Sequence, residues 1–175
     1  MAVLITKPAF NQFDVVSNHS DHHFSCVEKQ GKGKNNNIGD EDCFTNIGST
    51  IYKTIMREWK ILEKDLPDTI YVRVYDTRID LLRAVIIGAA GTPYHDGLFF
   101  FDIKFPPDYP KHPPKVHYRS HGLCLNPNLG AGGHVCLSIL NTWIGWRYER
   151  WNPAQSTILQ VLVSIQALVL NEKPY

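Results

Sequence analysis

From Ser49 onward the chain runs through two hydrophobic periods in turn. Ile51, Ile55, Trp59, Leu62 and Leu66 recur at helical spacing, with Lys53, Arg57, Lys60 and Lys64 as a stripe on the opposite side. Ser49 or Thr50 can cap the start and Pro67 stops the end, so a basic amphipathic helix is predicted. The period then drops to two. Ile70, Val72 and Val74 alternate with Tyr71, Arg73 and Tyr75, the pattern of a half-buried strand. Residues 81–89 read as a second, more buried strand after a polar turn over 76–80. A Gly- and Pro-bearing turn over 91–97 leads to a third strand, 98–105, with Phe99, Phe101, Ile103 and Phe105 on one face. Residues 115–118 form a short fourth strand. The short polar connections imply an antiparallel meander.

Residues 105–114 hold five prolines in ten positions, which excludes a central strand or a helix interior and leaves a rigid surface loop. Asn152-Pro153-Ala154-Gln155 has the makings of a helix start, with Asn as cap and Pro at the first position. That helix is predicted to reach Leu170. It is apolar nearly all round, as a helix buried between layers would be. The fold class is therefore α+β: a basic helix, a four-stranded sheet and a buried helix that packs across it and braces the loop between. Residues 1–48 look like a poorly ordered extension ahead of a core domain at 49–175, because runs such as 17–23 and 31–37 are polar and aperiodic.

Length and composition narrow the class. A chain of 175 residues with 43% hydrophobic positions can bury one core, and a net charge of +1 speaks against nucleic acid as the main partner. No apolar run is long enough for a membrane span, and the N-terminus is a poor signal peptide. The cysteines Cys26, Cys43, Cys124 and Cys136 are too few and too irregular for a disulfide framework. A soluble intracellular protein with free thiols is expected. His19, His22 and His23 with Cys26 could hold a transition metal, although a solvated tail is the simpler reading. His121, Cys124, His134 and Cys136 give a weak zinc-like set. Trp143, Trp146 and Tyr148 interleave with Arg147 and Arg150, a pattern that also occurs on single-stranded nucleic-acid surfaces.

The stretch 125–140 carries the strongest chemical signal. Asn128 precedes Cys136 by eight residues, across a loop with Gly130, Gly132 and Gly133. A thiol can attack a carbonyl, and an Asn amide can donate to the oxyanion that develops. His134, two residues before the thiol, is a candidate base.

This order of residues resembles the catalytic segment of ubiquitin-conjugating enzymes. The family's His-Pro-Asn, followed after seven residues by an acceptor Cys and Leu, stands here as Asn126-Pro127-Asn128 and Cys136-Leu137. Asn126 replaces the family's histidine. The similarity is greatest to large-class plant enzymes with an Asn-Pro-Asn variant and an enlarged loop after the cysteine. Phe-Pro-x-x-Tyr-Pro-x-x-Pro-Pro over 105–114 also matches, as does 151–154.

The resemblance implies that Cys136 receives ubiquitin as a thioester from the activating enzyme and passes it to a substrate lysine. It implies Asn128 as the oxyanion or loop-ordering donor, and Ser138 as an aligner of the acceptor amine. Lys53, Arg57 and Lys60 would meet the activating enzyme. Pro110, Lys111 (where many members have Phe), Pro153 and Ala154 would face ubiquitin ligases. No metal or cofactor is implied for this chain, since ATP is spent by the activating partner. A cytoplasmic or nuclear setting is implied. The family fold continues past Tyr175, so the C-terminal helices are expected to be absent. That would leave an apolar side of the last helix open, and a catalytically weak or inactive binding module is the alternative.

Overall fold

A computed structural model describes residues 10–25 and 42–174. Cys26 and the polar run 31–37 lie outside these residues, as does the side chain of Cys43. The described chain runs β1 (Phe13–Val16), α1 (Asp42–Thr45), α2 (Thr50–Asp65), β2 (Ile70–Tyr75), β3 (Leu81–Ile87), β4 (Leu98–Lys104), β5 (Lys115–Tyr118), a 3₁₀ turn (Ser138–Leu140), α3 (Ile158–Ser164) and a π-turn (Ile165–Val169).

The amphipathic helix is present as α2. Ser49 caps it, its Oγ accepting from Tyr52 N at 3.1 Å, and Leu66 turns extended ahead of Pro67. Lys53, Arg57, Lys60 and Lys64 are all exposed. The buried stripe differs from the expectation. Ile51, Ile55, Glu58 and Leu62 face inward, while Trp59 is half-buried and packs edge-on to Phe13 at 6.4 Å.

Glu58 Oε1 accepts from the Tyr109 hydroxyl at 2.7 Å and Oε2 from Ile158 N at 3.1 Å. One carboxylate thus ties α2 to the proline-rich loop and to the first turn of α3. Burial pushes the Glu58 carboxyl up, against the pull of both hydrogen bonds. Glu58→Ala would leave two buried donors unpaired, so urea denaturation should show a loss of about 2–3 kcal/mol. Glu58→Gln should lose less, because a flipped amide can accept from Ile158 N and donate to the Tyr109 oxygen.

The sheet has five strands in the order β1-β2-β3-β4-β5 rather than four. The four expected strands form the antiparallel meander, and β1 adds in parallel to β2, with Phe13 opposite Val72 and Val16 opposite Tyr75. Gln12 fixes this addition. Its carbonyl accepts from Val72 N at 2.8 Å, and its amide donates to Leu66 O, Pro67 O and Ile70 O at 2.6–3.2 Å. Val72, Val74, Leu82, Ala84, Phe101 and Ile103 line the inner face and are buried with α2 and α3 in one core.

On the outer face lies the second departure. His22, expected in a solvated tail, is fully buried. Its Nε2 meets Leu82 O at 3.1 Å and stands 3.7 Å from Asp102 Oδ1, and its ring packs edge-on to Tyr75. Asp102 is also buried. It receives Arg83 Nε at 2.5 Å and His23 N at 2.9 Å, with Arg119 Nη1 at 3.5 Å. An ionic cluster on the sheet thus holds the histidine segment down.

Burial lowers the His22 pKa, outweighing the pull of Asp102. The unfolded chain therefore takes up a proton first as pH falls. This stabilisation is complete above the unfolded histidine value of about 6.5 and is lost as pH drops toward the lower folded value. Burial opposes the Asp102 charge, yet Arg83, His22 and the His23 N–H together outweigh it and hold that carboxyl below the usual range, so its contribution is lost only in more acid solution. Thermal melts from about pH 7.5 to 5 should show a falling Tm, and His22→Gln should flatten that slope.

The last helix begins later than predicted. Asn152 closes its own turn, accepting from Gln155 N and Ser156 N, and the chain then extends at Thr157. Thr157 and Gln160 form the capping box of α3. Burial is one-sided: Ile158, Val161, Leu162, Ile165 and Val169 face the core, whereas Val163 and Leu168 are exposed. The helix is therefore not buried all round, and an apolar side lies open.

Candidate active site

The cysteine loop is a small hairpin grafted onto β5. Tyr118 N donates to Gly133 O at 2.8 Å, and His117 bridges His134. Gly133 (φ +87°) sits directly beneath the His117 ring, which a Cβ there would overlap, so only glycine allows this approach. Within the hairpin Leu129 pairs with Val135, both buried, while Gly130 N donates to His134 O and Cys136 N to Asn128 O at 2.8 and 2.9 Å.

That register decides the geometry. Asn128 and Cys136 are directly opposite, one step from the buried pair, and so share the outward side of the hairpin. Both are partly exposed. His134 falls on the same side and is exposed.

Two residues hold this hairpin: Asn126, noted in the sequence only as standing where the family has histidine, and Thr142, which the sequence did not mark out. Asn126 is fully buried. Its Oδ1 accepts from Asn128 N at 2.7 Å, and its Nδ2 donates to Tyr94 Oη and Val169 O, each at 2.8 Å. The loop is thereby tied to the π-turn after α3, the bracing expected of that helix. Thr142 is the second. Its hydroxyl donates to Val135 O at 2.6 Å and accepts from Leu137 N at 2.9 Å, gripping the residues on both sides of Cys136. Leu125-Asn126-Pro127 and Asn141-Thr142-Trp143 carry little local signal of these partners.

Ser138 opens the 3₁₀ turn, and its Oγ lies against Gly145, where a Cβ would collide with it. Cys124 is exposed, its Sγ 3.7 Å from Asn126 O. His121, Cys124, His134 and Cys136 are not gathered into a metal-holding group, and no such group of three occurs among the described residues.

The chain matches the ubiquitin-conjugating enzyme family over residues 54–175. The chain belongs to this family. It is 57% identical to the Arabidopsis thaliana protein named "Probable ubiquitin-conjugating enzyme E2 25" over 166 residues, which is 95% of this chain and 25% of that protein. It is 55% identical over the same share to "Probable ubiquitin-conjugating enzyme E2 26" of that plant, covering 28% of it. The chain thus spans about a quarter of the length of these two relatives. The structure is similar to that of human ubiquitin-conjugating enzyme E2 G1, with a TM-score of 0.59 and 28% identity over 68% of this chain and 93% of that one.

The other positions singled out by the ubiquitin-conjugating resemblance fall on two surfaces. Lys53, Arg57 and Lys60 share the exposed face of α2. Lys111, Pro153 and Ala154 are exposed and Pro110 half-buried. Trp151 Nε1 donates to Pro110 O at 2.6 Å, which joins the proline-rich loop to the turn ahead of α3. No helix among the described residues is long and apolar enough to cross a membrane.

Proposed function

We propose that this chain accepts ubiquitin as a thioester on Cys136 and transfers it to a protein lysine. The Cys136 thiolate attacks the ubiquitin carboxyl carbon held on the activating enzyme. A new C–S bond forms, the old one breaks, and the activating enzyme's sulfur leaves with the proton that Cys136 gave up. A neutral lysine amine then attacks the same carbon. The amide C–N bond forms, the bond to Cys136 breaks, and the amine's proton passes to the departing sulfur or to water. In both attacks the carbonyl oxygen gathers charge, and Asn128 is the donor placed to receive it. Ser138 borders the path of the incoming amine.

Lys53, Arg57 and Lys60 would meet the activating enzyme, and Pro110, Lys111, Pro153 and Ala154 a ligase. ATP is spent by the activating partner, and the reaction asks for no metal or cofactor from this chain. The observation that carries the proposal is the register setting Asn128 opposite Cys136 on the outward side of the hairpin, in a chain of this family.

The test is incubation with activating enzyme, ATP and ubiquitin. An adduct cleaved by thiols, mapped by mass spectrometry to the peptide bearing Cys136, is expected. A folded sample that forms none would refute the proposal.

A further inference from the structure

The segment 142–150 displays large apolar side chains to solvent. Trp143, Ile144, Trp146 and Tyr148 are 58%, 89%, 71% and 82% exposed. Apolar groups so concentrated on a surface mark a contact site. They are not presented loosely. Trp146 N donates to Glu149 Oε2 at 2.8 Å, Glu149 N to Trp146 O at 3.0 Å, and Arg150 Nε to Gly145 O at 3.1 Å. Gly145 is pressed onto Ser138, and Thr142 grips the residues flanking Cys136. The display is thus fixed in position relative to the sulfur. Between this segment, the 3₁₀ turn and α3 runs a groove of about 800 Å³, lined among others by Leu137, Ser138, Arg147, Gln160 and Leu168. It starts at the residues next to the nucleophile.

Charge indicates the occupant. Arg147, Glu149 and Arg150 are all exposed on the loop, Glu149 and Arg150 each bonded within it, which leaves an excess of one positive charge facing solvent. We infer that the segment 142–150 docks the acceptor protein, holding a stretch with an apolar anchor and acidic neighbours close to the lysine that is modified. This rests on the thioester chemistry proposed for Cys136. Continuity with that site favours the acceptor, since the acceptor alone must bring an amine to the sulfur from outside. Aromatic anchors would seat the apolar side chain, and the arginines would select the acidic flank.

The test uses the charged thioester and three synthetic dodecapeptides. The first carries one lysine, a leucine and three glutamates; the second has arginines for the glutamates; the third has serine for the leucine. Transfer to each is divided by discharge to free lysine in a parallel reaction. The first peptide should exceed the other two at least about tenfold. Trp146→Ser with Tyr148→Ser should erase the leucine preference, and Arg147→Glu should weaken or reverse the charge preference. Equal ratios for all peptides would overturn the inference. So would a loss confined to thioester formation, which points to ubiquitin on the loop, or one seen only with a ligase present, which points to the ligase. Absence of any wild-type adduct would instead strike the thioester proposal itself.

Discussion

A Cys136→Ala variant, mixed with activating enzyme, ATP and ubiquitin, is expected to form no thiol-cleavable adduct. Only a thiolate exchanges readily with a thioester, and Cys136 is the thiol that the hairpin sets opposite a carboxamide donor. Cys136→Ser should form at most a slow adduct that survives thiols, because a hydroxyl is a weaker nucleophile and an ester resists exchange. Cys124 supplies the control. It is exposed, but it lies off this hairpin pair. Cys124→Ala should charge normally. Intact mass and non-reducing gels read all three variants, and a reducible adduct on Cys136→Ala would move the nucleophile to another thiol.

Asn128→Ala is expected to slow discharge of the loaded thioester to free lysine by about 10²–10³ while leaving the fold intact. The backbone bond from Cys136 N to Asn128 O does not involve the side chain and survives the change. What would be lost is the amide donor proposed for the developing oxyanion, and the cost of one such donor sets the magnitude. Single-turnover discharge measures this directly. A loss of less than about threefold would assign Asn128 to ordering the loop alone. Asn126→Ala provides the contrast, since it unpairs Asn128 N and Val169 O, removes one of the two hydrogen bonds at Tyr94 Oη, and should also lower the melting temperature.

The helix α2 and the strands β2 to β5 could be read from hydrophobic period, because each buries one face against a single core. Where two structural demands met on one residue, the period misled. Glu58 continues the spacing 51, 55, 58, 62, yet as an acid it was passed over in favour of Trp59. The signal was present in the spacing, and a buried acid there needs the long-range donors Tyr109 and Ile158 to make sense. The strand β1 is four residues long, and its partners come from Gln12 and β2 rather than from its own pattern. His22 looked solvated because the Asp102 and Arg83 beneath it are adjacent only across a strand register. Asn152-Pro153 has cap chemistry, but Thr157 with Gln160 takes the helix start through a reciprocal pair. The motif spacing of Asn128 and Cys136 matches the register that sets them opposite each other, whereas the grip of Thr142 and the inward turn of Asn126 belong to tertiary structure.

The parallel addition of β1 bears on what the sheet offers to other chains. Without it, β2 would offer its outermost row of backbone N–H and C=O groups to any extended stranger, and sheets grow by that route. The Gln12 amide bonds and the four residues after it cover that row and leave a strand of only four residues at the rim, a shorter template for such growth.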